Sequence, residues 1–350
     1  MAIEGQLIEC VPNFSEGNDL LVIKKITDAI ESVEGVKLLH VDSGKAANRT
    51  VVTFAGHPEF VIEAAFRAIK VASEYIDMSK QKGEHPRLGA TDVCPLIPIA
   101  NISMEETVEY SKLLGKRVGE ELEIPVYLYE ASASSPERKN LATVRSGEYE
   151  GLVIKIQKEE WKPDFGKAVF KAKSGASIIG ARDFLIAYNI NINTPSVEIA
   201  NAMAGDIRES GRIKRIGDTA TGEIVKDAYG NTISVPGALK AVKAIGWFIK
   251  EYGVAQVSVN ITNFRITPFH VVYEEVCKVA ATYNVKVTGS ELIGLIPLQA
   301  MLDAGRYYAK KSGLFEAMTQ EEIIELAIQH MGLNELAPFD PRKKIIDYLL

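Results

Sequence analysis

Cysteine is scarce in this sequence, which has three in 350 residues: Cys10, Cys94 and Cys277. They are widely separated and show none of the spacings with which cysteine and histidine bind a metal. An odd number of scattered cysteines fits reduced thiols better than a disulfide framework. The sequence therefore predicts no metal site and a cytoplasmic protein.

An excess of basic residues is also missing, because the net charge is −6. A general nucleic-acid-binding protein needs a basic field, so we expect no nucleic-acid partner. No stretch approaches the roughly 18 consecutive apolar residues of a membrane span. Residues 1–9 lack the basic and apolar regions of a signal peptide. We therefore expect a soluble protein with no membrane partner.

What is present is an ordinary globular composition, with 47% hydrophobic and 25% charged residues in a chain long enough for two domains. Each half begins with the predicted element order β-α-β-β-α-β. The predicted strands are 7–14, 36–41, 50–54 and 93–99 in the first half, and 184–192, 242–250, 256–261 and 285–287 in the second. Two prolines in 93–99 are typical of an edge strand or a bend.

This order predicts an α+β protein of two ferredoxin-like (βαββαβ) subdomains, each an antiparallel sheet with helices on one face. We place them at 1–180 and at 181–350, the second with the C-terminal helices. Residues 148–177 are predicted to connect the halves, with a ligand cleft between the subdomains. A doubly wound α/β sheet is the alternative, but the β-β steps and the lack of a Gly-x-Gly-x-x-Gly segment count against it. Residues 213–235 are predicted as a β-hairpin excursion.

The strongest functional signal lies in residues 82–95. This segment is polar and interrupted by glycine and proline, as loops that carry chemistry are. His85 precedes a proline, which favours an extended backbone. A general base also needs an acceptor that orients its ring, and Glu84, Asp92 and Asp42, at the end of another strand, are the candidates. Asp42 is equally typical of a turn residue, and a lone His-Pro dipeptide is usually a turn.

Two groups of cations admit two interpretations each. Arg49 enters a predicted strand, where arginine is usually solvated, but near a cleft its guanidinium suits a substrate carboxylate. The lysines of 167–173 alternate with phenylalanine. This pattern fits either a surface for a flat heterocycle with an anionic tail or a half-buried strand with a solvated lysine face.

Several segments resemble one known family. They are CVPNFSEG at 10–17, NRTV at 48–51, GEHPR at 83–87, DVCP at 92–95, VYLY at 126–129, PDFG at 163–166, GAR at 180–182, NIN at 189–191 and GW at 246–247, and the match continues to PRKK at 341–344. Together they resemble glutamate formimidoyltransferase, the formiminotransferase domain of the formiminotransferase-cyclodeaminase family. Since the sequence ends at Leu350, we expect no cyclodeaminase domain.

The resemblance implies two ferredoxin-like subdomains and a one-carbon transferase of histidine breakdown. The expected reaction moves the formimino group from N-formimino-L-glutamate to tetrahydrofolate, giving 5-formiminotetrahydrofolate and L-glutamate. It also implies a homodimer and leaves a separate cyclodeaminase open as a partner. The alternatives are formyl transfer between 5-formyltetrahydrofolate and glutamate, and a folate-binding protein without turnover.

The resemblance also assigns site residues. It maps the catalytic histidine onto His85 and the aspartate that assists it onto Asp42. It makes Arg49 and Arg182 candidates for binding substrate carboxylates. The folate-binding residues map onto Gly166, Lys167, Ala168, Val169, Phe170, Lys171, Ala172, Lys173, Ser174 and Gly175, and onto Ser210, Gly211 and Arg212. The second group is the weaker match, because the excursion at 213–235 interrupts it.

Overall fold

The computed structural model describes residues 5–217, 222–313 and 318–350. The chain divides into two compact units, Met1–Asp183 and Phe184–Leu350. Within the described residues, no helix combines the length and the apolar character that crossing a membrane requires.

The first unit contains seven strands and five α-helices in its described part. The strands are β1 (Leu7–Cys10), β2 (Asn13–Phe14), β3 (Val36–Gly44), β4 (Arg49–Gly56), β5 (Thr91–Ala100), β6 (Val126–Leu128) and β7 (Ser177–Ala181). The helices are α1 (Leu20–Glu31), α2 (Pro58–Tyr75), α3 (Met104–Glu121), α4 (Leu141–Arg145) and α5 (Glu148–Lys155).

These strands form one mixed sheet. The short strands β1 and β2 both lie between β4 and β5, β3 pairs with the outer side of β4, and all these pairs are antiparallel. Beyond β5 the order continues β7-β6, and both of these pairs are parallel. The prediction of a purely antiparallel sheet is therefore wrong for this unit, because two strands after α3 extend it in the parallel sense.

The strand with two prolines is not at an edge. β5 has β1 and β2 on one side and β7 on the other. The prediction of an edge strand or a bend was wrong because a proline removes only its own N–H, and the neighbouring residues keep the ladder intact. The strand predicted at 7–14 is split into β1 and β2, with a proline between them at Pro12.

Helices cover both faces of this sheet, contrary to the expectation of one. Two consecutive residues of β6, Val126 and Tyr127, belong to two separate apolar clusters. The cluster with Val126 includes Leu114 of α3, whereas the cluster with Tyr127 includes Leu152 of α5. Since successive side chains of a strand point to opposite faces, α3 and α5 lie on opposite sides.

Residues 148–177, predicted to connect the two halves, belong to the first unit. They contain α5 and lead directly into β7 inside the sheet. The Ala90 N–H donates to the Ser174 carbonyl at 2.8 Å, which ties the end of the segment to the start of β5. The prediction was wrong because lysine-rich composition does not reveal a long-range backbone pairing.

The second unit contains eight strands and five α-helices in its described part. The strands are β8 (Ile186–Ile192), β9 (Arg212–Ile213), β10 (Arg215–Ile216), β11 (Glu223–Ile224), β12 (Ser234–Val235), β13 (Val242–Ile249), β14 (Val254–Ile261) and β15 (Val287–Ile293). The helices are α6 (Val197–Ile207), α7 (Phe269–Thr282), α8 (Leu298–Lys311), α9 (Gln320–His330) and α10 (Pro341–Lys344).

Four of these strands form an antiparallel sheet in the order β13-β14-β8-β15. Its apolar core includes residues from α6, α7, α8 and α9. The excursion at 213–235 forms two small antiparallel pairs, β9 with β12 and β10 with β11, and residues 218–221 of it lie outside the described residues. The strand predicted at 285–287 is observed at Val287–Ile293, as β15. The predicted bounds were wrong because Gly289 and Ser290, in the middle of β15, interrupt the apolar pattern of a strand.

Close packing of β13 on α6 requires a glycine at position 246. A Cβ there would lie 2.2 Å from the Asn201 backbone nitrogen and 2.4 Å from the Ala200 carbonyl carbon. We expect Gly246→Ala to lower the free energy of unfolding by about 1–3 kcal/mol, since helix and strand must separate. Thermal and urea denaturation measure this change. Gly151→Ala in α5, where a Cβ meets nothing within 4 Å, is the matched control and should be neutral or stabilising; equal losses in both variants would contradict the packing argument.

Candidate active site

The loop that carries His85 connects α2 to β5 and spans residues 76–90; we call it the His85 loop. One side of it lies against the turn between β3 and β4. The Asn48 side chain donates to the Lys82 carbonyl at 2.7 Å, and the Glu84 N–H donates to the Ala46 carbonyl at 3.3 Å. A Cβ at Gly83 would lie 2.3 Å from the Ala47 carbonyl oxygen, so only glycine permits this approach.

The other side of the His85 loop is tied to the start of α5. The buried Arg87 guanidinium donates to Glu148 at 3.0 Å and to Glu150 at 2.9 and 2.6 Å. The Tyr149 N–H donates to the Arg87 carbonyl at 2.9 Å. The residues on either side of His85 are therefore fixed by contacts with residues that are far from them in the sequence.

The His85 imidazole is half-buried and has a defined tautomer. Its Nδ1 lies 2.7 Å from the Pro86 carbonyl oxygen. Since a carbonyl only accepts, Nδ1 carries the proton and the lone pair of the neutral ring is on Nε2. Burial, and then the positive charges of Arg49 and Arg145, lower the pKa of His85 to about 3, against the opposing effect of Asp92. The ring is therefore a neutral base at physiological pH.

A buried carboxylate beside this ring joins four parts of the unit. The Asp92 side chain is fully buried and accepts from Arg49 at 2.6 Å, from Arg145 at 2.7 and 3.3 Å, and from the Leu88 N–H at 2.8 Å. Burial raises the pKa of Asp92, but Arg145 and Arg49 together outweigh it, so the pKa falls to about 2. We call Arg49, Asp92 and Arg145 the Asp92 cluster.

Arg145 was not singled out from the sequence. It is the last residue of α4, and the carbonyls around it accept from Lys155: Thr143 at 3.0 Å, Val144 at 2.8 Å and Ser146 at 3.1 Å. The buried lysine thus fixes the end of α4 and with it the direction of Arg145. The residues around Arg145 give no local signal that it binds a buried carboxylate. Its partner Asp92 is 53 positions away in the sequence.

Asp42 is inside a strand and not at its end. β3 continues to Gly44, and Asp42 lies opposite Val51 of β4. The prediction of a turn residue is therefore wrong, since pairing with β4 extends the strand. Paired residues on neighbouring strands point to the same face, so Asp42 shares a face with Val51. Arg49 is two residues before Val51 on β4 and therefore projects from that face too.

The predicted folate-binding segment 166–175 is a loop of the first unit, and its end reaches the His85 loop. Gly175 forms a β-bridge with Gly89, and a Cβ at Gly175 would lie 2.3 Å from the Leu88 carbonyl oxygen. Tyr149 donates its hydroxyl to the Ala172 carbonyl at 2.6 Å. The structure thus brings this segment next to the residues that follow His85.

The lysines of that segment have partners within the unit. Lys167 and Lys171 lie 3.3 and 3.1 Å from the two carboxylate oxygens of Glu123. Lys173 donates to the Glu74 carbonyl at 2.6 Å. The segment is not a strand, so the alternative of a half-buried strand with a lysine face does not hold.

Arg182 follows β7 and lies near a buried carboxyl group of β1. Its guanidinium donates to the Asp183 carbonyl at 2.8 Å and lies near enough to Glu9 to influence its ionisation. Burial raises the pKa of Glu9 to about 8, although Arg182 opposes that shift. Glu9, which the sequence did not single out, therefore holds its proton at neutral pH.

The weaker group of folate-binding assignments lies in the second unit. Gly211 has a left-handed backbone (φ +67°), which glycine adopts without strain. The Arg212 guanidinium is paired with Asp206, which also accepts from the Tyr283 hydroxyl at 2.6 Å.

A groove of about 770 Å³ runs between the His85 loop and the start of α5. Its lining residues are Ala46, Lys82, Gly83, Glu84, Arg87, Gly147, Glu148 and Glu150. Three carboxylates against two cations give it a slight negative character. Among the described residues, no group of three or more histidine, cysteine, aspartate or glutamate side chains is placed to hold a metal ion.

Two family models cover this arrangement from end to end. The model described as "Formiminotransferase domain, N-terminal subdomain" matches residues 7–182, and the model "Formiminotransferase domain" matches residues 187–350. The chain belongs to the formiminotransferase family.

Named relatives agree with this membership. Glutamate formimidoyltransferase of Thermoplasma acidophilum is 45% identical over 323 residues, which are 92% of this chain and 98% of that protein. The protein of the same name from Streptococcus pyogenes is 41% identical over 303 residues, 87% of this chain and 93% of that one. Formimidoyltransferase-cyclodeaminase of Mus musculus is 48% identical over 345 residues, 99% of this chain, and the chain spans 60% of its length.

The buried carboxyl of Glu9 gives this formiminotransferase-family chain a specific dependence of stability on pH. Its pKa is raised from 4.5 to about 8 on folding, so the folded state holds an extra proton between these values. The free energy of unfolding therefore falls as pH rises from about 4.5 to about 8. Glu9→Gln, which mimics the protonated form, should lose this decline. Melting temperatures of both proteins across that range measure it, and parallel curves would contradict the assignment.

Proposed function

We propose that this protein is a glutamate formimidoyltransferase. It moves the formimino group from N-formimino-L-glutamate to tetrahydrofolate and releases L-glutamate, a step of histidine degradation. The observation that carries the proposal is the 45% identity across 98% of the Thermoplasma glutamate formimidoyltransferase. The two family models, which together span 7–182 and 187–350, support it.

The reaction needs a group that takes a proton at one nitrogen and gives it to another. N5 of tetrahydrofolate attacks the amidine carbon of the donor and must lose its proton. The C–N bond to glutamate then breaks, and the departing nitrogen must gain a proton. One neutral imidazole serves both steps, and such general acid–base catalysis contributes roughly 10²–10⁴-fold in rate.

His85 is the proposed proton carrier, acting through Nε2. The Nδ1 contact with Pro86 supports this role, since it leaves the lone pair of the neutral ring at Nε2. Asp42 is proposed to assist from the face of the sheet that also bears Arg49. Arg49 and Arg182 remain the proposed partners of substrate carboxylates.

Tetrahydrofolate is the proposed co-substrate, bound by the segment 166–175 with Ser210, Gly211 and Arg212. The β-bridge from Gly175 to Gly89 supports the first assignment, because it ties that segment to the His85 loop.

We also propose that both units are ferredoxin-like subdomains, divided near residues 180 and 181. The order β1-α1-β3-β4-α2-β5 in the first unit and β8-α6-β13-β14-α7-β15 in the second supports this. These strands lie side by side in the order β3-β4-β1-β5 in the first unit and β13-β14-β8-β15 in the second. The two sheets therefore place equivalent strands in the same order. A cytoplasmic homodimer, with a separate cyclodeaminase as a further partner, is proposed from the family resemblance alone.

Replacing the imidazole tests the proposed role. We expect His85→Ala to fold and to bind tetrahydrofolate, but to lose about 10²–10⁴-fold in kcat because no group relays the proton. Release of glutamate from formiminoglutamate, with and without tetrahydrofolate, measures the reaction. His57→Gln is the matched control, since His57 is also half-buried and also precedes a proline. A wild-type rate in His85→Ala would remove His85 from the mechanism.

The same assay separates the alternatives. Competition between N-formimino-L-glutamate and N-formyl-L-glutamate as donors should favour the formimino compound. Preferred formyl transfer would replace the proposed reaction. Folate binding without any release of glutamate would make the protein a folate carrier.

A further inference from the structure

The Asp92 cluster holds more positive than negative charge in a buried place. Arg49 and Arg145 expose 8% and 12% of their side chains, and the one carboxylate between them exposes none. Two guanidinium groups and one carboxylate leave a net charge of +1. A buried charge without a counter-charge is costly, so the cluster suits an added anion.

Both arginines have donors beyond those that hold Asp92. Arg145 uses Nε and one terminal nitrogen on the carboxylate, and Arg49 uses one terminal nitrogen there and Nε on Asn13 at 3.1 Å. A guanidinium has five N–H groups in a planar fork. Within the described part of the chain, Nη2 of Arg49 and Nη1 of Arg145 have no hydrogen-bond acceptor, and such terminal N–H groups suit the planar, bidentate binding that carboxylates prefer.

The excess charge acts at the catalytic ring. Arg49 and Arg145 both lower the pKa of His85, and Asp92 raises it. Geometry places the cluster at the same loop, because the Leu88 N–H of the His85 loop donates to Asp92 at 2.8 Å. The acidic groove beside Arg87 is less suited to an anion, because Glu84, Glu148 and Glu150 outnumber its cations.

The chemistry of the substrates decides which anion fits. In the formimino donor the α-carboxylate is two bonds from the nitrogen that accepts the proton. The carboxylates of the folate tail are separated from the reacting N5 by the whole aminobenzoyl group. An anion site next to the proton carrier therefore matches the donor's α-carboxylate.

We propose that Arg145, together with Arg49, binds the α-carboxylate of the donor amino acid and so sets the preference for an α-amino-acid substrate. This inference rests on the proposed transfer reaction and adds a residue and a subsite to it. Asp92 holds the two guanidinium groups side by side.

Substitution of Arg145 should affect binding of the donor more than turnover. We expect Arg145→Gln to raise KM for formiminoglutamate by about 10- to 100-fold, the effect of losing one charge-assisted hydrogen-bonded contact. Its KM for tetrahydrofolate should remain near the wild-type value, and its kcat should change less than its KM for the donor, because Arg145 also influences the His85 ring. Arg145→Lys keeps the charge next to Asp92 and should give a smaller increase, which also guards against misfolding of the glutamine variant. Arg117→Gln is the control, since the ion pairs of Arg117 with Glu63 and Glu121, and its stacking on Phe66, lie on α2 and α3 and away from the Asp92 cluster.

Truncated donors identify the carboxylate. N-formimino-γ-aminobutyrate lacks the α-carboxylate, and N-formimino-2-aminobutyrate keeps it but lacks the distal one. The increase in KM should persist with the second compound and vanish with the first. An equal increase with every donor would show a structural role and overturn the proposal. An increase confined to donors with the distal carboxylate would overturn it too. So would a variant whose KM is raised for tetrahydrofolate but not for tetrahydropteroate, which lacks the glutamate tail, because Arg145 would then bind the folate tail.

Binding measured without turnover separates this inference from the proposed reaction. If the wild-type protein transfers no formimino group, the reaction fails. The site is then tested alone by calorimetry with L-glutamate and γ-aminobutyrate. The site is supported if the wild-type protein binds L-glutamate more tightly than γ-aminobutyrate and if Arg145→Gln abolishes this difference. Equal binding of both compounds to the wild-type protein overturns it.

Discussion

The candidate site of the first unit depends on the ion pairs that the buried Asp92 carboxylate forms with Arg49 and Arg145. Asp92 lies at the start of β5 and holds Arg49 from β4, Arg145 from α4 and the backbone of Leu88 in the His85 loop. Without it, two buried guanidinium groups would face each other uncompensated. Removing one partner of a buried ion pair is strongly destabilising for this reason. One side chain therefore fixes a strand, a helix end and the His85 loop relative to one another.

The same cluster sets the state of the imidazole. A positive potential and burial favour the neutral ring, and the Pro86 carbonyl selects the tautomer with the lone pair on Nε2. A base that is already neutral needs no deprotonation before it acts. The His85 loop is also held from two sides, by the turn before β4 and by α5, and the proposed proton transfer requires such a fixed ring.

Much of the fold was accessible from local patterns. The strands predicted at 50–54, 242–250 and 256–261 correspond to β4, β13 and β14, with bounds that differ by two residues or fewer at each end. The failures have long-range causes. β5 keeps its central place despite two prolines, β15 has a polar centre, and the segment 148–177 joins the first sheet through pairings that composition does not encode. Family membership followed from short segments distributed over the whole chain.

The sequence by itself singled out the His85 loop as a candidate site, because that segment is polar and is interrupted by glycine and proline. It also identified the family from its contiguous segments. Only the tertiary structure decided which charges surround that histidine. Arg145 and Asp92 are 53 positions apart, and Glu9 reads as one glutamate in an ordinary strand. Their properties come from burial and from neighbours brought together by folding, and neither is a property of a local pattern of residues.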